Sequence, residues 1–361
     1  MQVVTVDRKI EVAVEKGRSS ITLQANEQYV MHDVEVASGK QAGVFSQVSP
    51  LPACPWMFTP HAAGGSRLIL PFIGGLGDAV STLPVLAALA RKHPAISIDV
   101  ATTTGPAELF DLCPHVKHVI NYPTSLTTWQ GYEQFLSMEV VQRTAQMPGR
   151  ALPEVFAAAL GIDLADSTFQ LRLPRAAEAV GEPSAVPLVG VAVGEVHSLR
   201  SYPEPKLREL VSLLVRDGLC CVLFGHAAGS FNIPVCPPVV TDMRSKTPTV
   251  LELAVWLKAV DIVVSHDSFV MHLAGALGRP TVALFAPTSR AHASPYAGAI
   301  PLASTVECSP CHATGSSCPR GFDRCVAWDD TAVEPDSVLE AVCRRLGKSR
   351  TWTSNWVASL G

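Results

Sequence analysis

The sequence predicts an α/β protein with two Rossmann-like parallel-sheet domains behind an N-terminal β-rich extension. Three observations carry that expectation. From Arg67 onward, apolar runs of five or six residues alternate with helical patterns, the signature of parallel strands with crossover helices. The pattern occurs twice, beginning at residues 67–72 and again at residues 188–194. Before Arg67, residues 1 to about 45 alternate with period two instead, as half-buried antiparallel strands do.

The elements follow in order. Val4 and Val6, then Ile10, Val12 and Val14, then Ile21 and Leu23, then Val34 and Val36 suggest three or four strands in the extension. A proline-rich linker is expected around residues 49–55, docked by Trp56 and Phe58. Residues 68–72 read as a buried strand, 73–78 as a glycine-rich turn, and 79–91 as a helix. Strands are expected at residues 96–101 and 116–120, a helix at 152–160, and a short strand at 169–173. The second half reads as strand 188–194, helix 204–216, strand 220–224 and helix 250–259. Residues 261–264, a polar turn with a short helix, and residues 281–285 complete its sheet. Residues 335–346 read as a helix, and Trp352 and Trp356 share a helical spacing in the tail. The expected domains are residues 1–60, 61–180 and 181–345, followed by a tail of residues 346–361.

Composition narrows the class. The chain has 361 residues, 48% hydrophobic and 17% charged, which allows two sizeable cores. A net charge of −4 gives no overall basic footprint, so nucleic acid is not an expected partner. No run of 18 apolar residues occurs, so no membrane span is expected, although peripheral membrane contact stays compatible. The first residues lack a basic region ahead of an apolar core, which predicts a cytoplasmic protein.

Two turns invite a ligand. Ser265-His266-Asp267-Ser268-Phe269 lies between a strand and a helix, where backbone N–H groups and the helix dipole favour an anion such as a pyrophosphate. An ordinary βαβ turn, with Asp267 as a cap, is the bland alternative. In the first half, Gly74-Gly75-Leu76-Gly77-Asp78 could be a dinucleotide fingerprint, with Asp99 sitting 22 residues after Gly77. Val80 stands where the third small residue belongs, which speaks against NAD. Asp78 is either a helix cap or a base facing the carboxyl end of the strand. Finally, Cys308, Cys311, Cys318 and Cys325 are separated by two, six and six residues. Four thiolates so spaced could hold a structural zinc or iron, with two local disulfides or free thiols as alternatives.

The run from Gly77-Asp78 through Thr82-Leu83-Pro84 resembles the N-terminal motif of glycosyltransferase family 9, the heptosyltransferase type. Asp267-Ser268-Phe269 with His272-Leu273-Ala274, then Phe285-Ala286-Pro287-Thr288, is similar to the family's second motif. Val193-Gly194 and Arg200-Ser201-Tyr202-Pro203 resemble its Pro-Gly and Lys-Arg-Trp-Pro. The departures are Ser268-Phe269 for Thr-Gly, Ala286 for Gly and Tyr202 for Trp. After the Phe224 strand the chain reads Gly225-His226-Ala227-Ala228, with no acidic residue to hold a donor ribose.

The resemblance implies a GT-B fold of two facing Rossmann-like domains. It implies inverting transfer from a nucleotide-diphosphate sugar, ADP-heptose-like or other, with no catalytic cofactor. Asp78 would be the base. Gly77, Gly194, Arg200, Asp267, Ser268, Phe269 and His272 would line the donor site. The acceptor would be a lipopolysaccharide core or other glycan. The β extension and cysteine-rich segment also resemble, in architecture, protein-modifying heptosyltransferases that act on autotransporters. A non-catalytic nucleotide-sugar-binding or assembly protein is the competing class.

Overall fold

The computed structural model describes residues 1–6, 9–14, 19–31, 35–37, 45, 47–50, 66–136, 150–164, 171–173, 186–194, 198–225, 231–293, 296–313 and 316–348. The chain divides into two units, residues 1–147 with 152–172, and residues 148–151 with 173–361.

Unit one begins with strands β1 (Gln2–Thr5), β2 (Ile10–Val14), β3 (Ser19–Leu23), β4 (Gln28–Met31) and β5 (Gln47–Pro50). β1 lies between β4 and β5, antiparallel to both, while β2 and β3 form a separate hairpin. The strand expected around Val34 and Val36 is not formed, because residues 35–37 are helical and the strand lies at β4. Val36 is nonetheless buried with Val4, Val6, Leu23 and Tyr29. The alternation in sequence recorded burial there, not extended backbone. Ser49 and Pro50, expected in the linker, close β5; Trp56 and Phe58 lie outside the described residues.

The rest of unit one is β6 (Arg67–Phe72), α1 (Leu76–Lys92), β7 (Ser97–Thr102), α2 (Thr104–Asp111), β8 (Val116–Asn121), β9 (Thr124–Ser125), α3 (Leu126–Trp129), β10 (Gln134–Phe135) and α4 (Leu152–Leu160). A parallel sheet runs β10-β6-β7-β8. α1 starts three residues earlier than its apolar pattern predicts, so Gly77 and Asp78 lie inside its first turn. The expected strand at 169–173 is absent at residues 171–173, and residues 169–170 lie outside the described set.

β9 leaves this sheet and pairs antiparallel with β4 of the N-terminal strands. Val3 and Val30 then share one core with Ile69, Ala101, Tyr122 and Trp129. The extension is thus built into unit one by backbone hydrogen bonding and by burial together.

Unit two comprises β11 (Leu188–Ala192), α5 (Glu204–Arg216), β12 (Cys220–Phe224), β13 (Val240–Asp242), α6 (Val250–Ala259), β14 (Ile262–His266), α7 (Phe269–Ala276), β15 (Thr281–Phe285), β16 (Ala299–Ala303) and α8 (Pro335–Arg345). Its six strands are all parallel, in the order β13-β12-β11-β14-β15-β16. β14 and β15 are buried along their whole length, as parallel strands covered on both faces must be. α5 buries Leu207, Leu210, Val211 and Leu214 at helical spacing. α6 opens with a capping box. The Glu252 N–H donates to the Thr249 hydroxyl at 3.1 Å, and the Thr249 N–H donates to the Glu252 carboxylate at 3.1 Å.

Both parallel sheets start in the middle, grow to one side, and then resume on the other. In unit two that is the doubly wound 3-2-1-4-5-6 order, whose switch point falls between β11 and β14. Ligands of such sheets bind outside the carboxyl ends of the strands at the switch point. The loops after β11 and β14 flank that point, and the loop after β15 lies beside them.

Candidate functional site

The loop after β11 begins with Val193 and Gly194. A Cβ on Gly194 would lie 2.3 Å from the Ser201 hydroxyl, so only glycine lets this loop fold back on its strand. The far end of the loop is fixed by aromatic packing. The rings of Tyr202 and Trp328 meet edge to face at 5.4 Å, an arrangement that adds about 0.5–1.5 kcal/mol to area burial. The Trp328 indole N–H donates to the Leu199 carbonyl at 2.9 Å, and the Tyr202 hydroxyl donates to the Val333 carbonyl at 2.8 Å. Arg200 lies between these anchors. Tyr202, a departure from the expected Trp, thus keeps a structural task.

The loop after β14 carries the motif. His266, expected in the turn, is the last residue of its strand and is buried. Burial pushes its imidazole down to about 4; nearby Arg200 works in the same direction, and Asp267 opposes. At neutral pH it is uncharged. Ser268 is the N-cap position of α7, and the Ser265 hydroxyl donates to the His266 carbonyl at 2.7 Å. Phe269 is the first helical residue and half-buried, so its ring flanks the helix start where the resembled motif has glycine.

Asp267 is not a cap. It is buried, with Oδ2 at 3.1 Å from His292 Nδ1 and Oδ1 at 3.6 Å from His272 Nε2. Burial pushes its carboxyl up, but the hydrogen bonds from His272 and His292 outweigh that and hold it well below the usual carboxylate range. His272 Nδ1 in turn lies 2.9 Å from the Tyr296 hydroxyl. Gly275 makes this contact possible, since a Cβ there would stand 2.3 Å from the Tyr296 ring.

The loop after β15 holds Ala286, Pro287 and Thr288. Thr288 is buried and its hydroxyl meets no hydrogen-bond partner among the described residues. The same holds for Arg200 Nε and His266 Nδ1. Three adjacent loops at the carboxyl ends of the strands thus each present a buried polar atom with an unused hydrogen-bonding capacity. Such groups cost free energy in the empty state, on the order of 1–3 kcal/mol each. A polar ligand seated there would repay it.

The cysteine-rich segment packs behind these loops. Cys308, Cys311, Cys318 and Cys325 are free thiols and line one cavity with Leu199, Ala286 and Pro287. The Ser309 hydroxyl donates to the Ala286 carbonyl, and the His312 N–H donates to the Pro287 carbonyl. Burial pushes the Cys325 thiol up, helped by Cys311 and Cys308. The expected closed ligand set is not formed. Among the described residues, no three His, Cys, Asp or Glu side chains gather closely enough to hold a metal ion. The sulfurs share a wall instead of a centre.

In unit one, Asp78 is exposed in the first turn of α1, and its Oδ2 accepts the Gly75 N–H at 3.2 Å. The cap reading is realised, and exposure leaves the carboxylate open to solvent. His292 and Tyr296 escaped the sequence reading. Nothing in their spacing ties them to Asp267, 25 and 29 residues earlier. Thr288 was visible as part of a motif but carried no assigned role. His226, Trp352 and Trp356 lie outside the described residues.

Comparison with known proteins finds likeness to glycosyltransferases. Residues 150–320 match the model of glycosyltransferase family 9 (heptosyltransferase). Lipooligosaccharide heptosyltransferase 2 of Haemophilus influenzae is 32% identical over 124 residues, 30% of this chain. The chain spans about a third of that relative's length, 34%. Among solved structures, a family 9 glycosyltransferase from Veillonella parvula superposes with a TM-score of 0.58 at 16% identity, covering 80% of this chain and 99% of its own. The dodecameric iron-containing heptosyltransferase TibC of enterotoxigenic E. coli, in complex with ADP-D-β-D-heptose, superposes at 0.60 and 13% identity, covering 96% and 94%. The chain is therefore glycosyltransferase family 9-like over residues 150–320, on the GT-B fold of the heptosyltransferases.

Proposed function

We propose that the protein is a glycosyltransferase that moves a sugar, heptose or a related one, from a nucleoside-diphosphate donor to an acceptor hydroxyl with inversion. The observation that carries this is the trio of unused polar atoms on Arg200, His266 and Thr288 at the carboxyl ends of β11, β14 and β15 in unit two. Fixed dipoles and a guanidinium there would stabilise the charge that builds on a departing diphosphate. In the reaction, the acceptor oxygen bonds to the anomeric carbon as the carbon–oxygen bond to the diphosphate breaks. The bonding pair leaves with the diphosphate, and the acceptor proton passes to Asp78. Gly194 lets the loop after β11 fold back on its strand, while Asp267, Ser268, Phe269 and His272 shape the donor pocket.

The acceptor is proposed as lipopolysaccharide core or another glycan. A protein acceptor is the second reading. It rests on the architectural resemblance of the N-terminal strands and cysteine-rich segment to protein-modifying heptosyltransferases. No described helix is long and apolar enough to cross a membrane. The free thiols suit a reducing, cytoplasmic setting.

A thermal-shift series with ADP-, GDP- and UDP-sugars tests the donor site. A donor at 100 times its dissociation constant should add about 2.7 kcal/mol of stability. No shift with any of them would remove the donor-site reading. Binding without turnover would favour the assembly-protein class instead.

The four-thiol cavity is part of the proposal as a structural metal site, the thiols closing on zinc or iron as soft ligands. Purified wild type should carry about one metal per chain, and Cys311→Ser should lose most of it. Equal metal content in both proteins would exclude the site.

A further inference from the structure

The turn after Thr288, residues 290–293, is a short 3-10 helix that brings His292 to Asp267. His292 is 31% exposed, whereas the Asp267 carboxylate that holds its Nδ1 is almost wholly buried. A buried carboxylate on one ring nitrogen fixes the orientation of an imidazole. Nδ1–H then donates to Asp267, and Nε2 lies on the opposite side of the ring.

The charged and titratable surroundings of His292 are few. Asp267 is the anion, and His272 of α7 occupies its other oxygen. The ring of His312, from the cysteine-rich segment, lies 6.2 Å away. Arg290 is exposed on the same short turn. Arg200 is close enough to His266, the residue before Asp267, to bear on its charge. The Asp267 carboxylate is thus engaged by two imidazoles. A bare buried carboxylate would repel a diphosphate, whereas the charge of Asp267 is directed at these two rings.

We propose that His292, oriented by Asp267, is a donor-contacting residue whose protonated Nε2–H hydrogen-bonds the diphosphate of the nucleotide sugar. It would steady the nucleoside diphosphate as the anomeric bond breaks. The proton stays on the imidazole, so the atom and electron balance of transfer is unchanged. Charge-assisted hydrogen bonds of this kind are about twice as strong as neutral ones. This inference rests on the glycosyltransferase reading of the same site. The competing account is that His292 merely satisfies a buried carboxylate.

Calorimetric titration of the full chain with ADP, GDP and UDP separates the two accounts. Wild type, His292→Ala and His292→Gln are compared at about pH 6 and about pH 8, on either side of an ordinary histidine pKa. At the lower pH, His292→Ala should bind the preferred diphosphate roughly tenfold or more weakly. His292→Gln keeps a neutral N–H donor and should recover part of that loss. Both variants should lose the component of pH dependence that favours low pH in wild type. Thermal unfolding of the Gln variant checks that the fold is intact. A folded His292→Gln with wild-type affinity and wild-type pH profile would overturn the inference alone. Failure of wild type to bind any of the three diphosphates would overturn the glycosyltransferase reading with it.

Discussion

Asp78→Asn is expected to lower the rate of transfer by roughly 10²- to 10⁴-fold, the usual contribution of a positioned base. Donor affinity and thermal stability should stay at their wild-type values. The choice of asparagine matters because Asp78 has a structural task beside the catalytic one proposed for it. Its Oδ2 accepts the Gly75 N–H at the start of α1, and an amide oxygen can do the same. What asparagine cannot do is take a proton from an attacking hydroxyl. Asp78→Ala would remove both functions and confuse a weakened helix with lost chemistry. Initial-rate assays with a radiolabelled or fluorescent acceptor, alongside thermal unfolding, read the two effects separately. Transfer within a few-fold of wild type in Asp78→Asn would reduce Asp78 to a cap.

Arg200→Met should have opposite effects on stability and function. In the free protein the Arg200 Nε is buried and meets no partner among the described residues, so its loss sacrifices no hydrogen bond there. Methionine keeps most of the apolar length of the side chain. Stability should therefore hold or rise. Transfer, by contrast, should fall by about 10²- to 10³-fold, as when a single charge-stabilising donor is removed from an active site. Stabilisation with loss of activity is the mark of a residue kept for its ligand at a cost to the fold. A stable variant with unchanged kcat/KM would place the donor phosphates elsewhere. Arg200→Met lies in unit two and Asp78→Asn in unit one, so the pair tests each unit's share of the reaction separately.

Much of the architecture was legible because parallel strands announce themselves. Strands such as Cys220–Phe224 and Thr281–Phe285 are short apolar runs flanked by turns, and α5 shows its apolar face directly. The weak spots have physical causes. β9 and β10 are two residues long and β13 is three, too short to leave a period in sequence. Their place is decided by neighbouring strands, not by their own composition. Val36 shows the converse, with a buried side chain that suggests a strand but sits on helical backbone. Within the motifs, Gly194, Arg200, Asp267 and His272 were readable as candidates. His292 and Tyr296 were not, because they reach Asp267 and His272 only after β15 has carried the chain across the sheet. The cysteine spacing was readable as a cluster. Whether four thiols share a centre or only a cavity wall depends on loop geometry that spacing does not record.

Trp328 has an optical consequence. Its indole N–H is bonded to the carbonyl of Leu199, next to Arg200, and its ring rests against Tyr202. The fluorescence of an indole depends on the polarity and hydrogen bonding around it. Movement of the Arg200 loop on meeting a diphosphate would be registered by this tryptophan without any added label. The aromatic anchor that holds the loop in place is also a native reporter of its displacement.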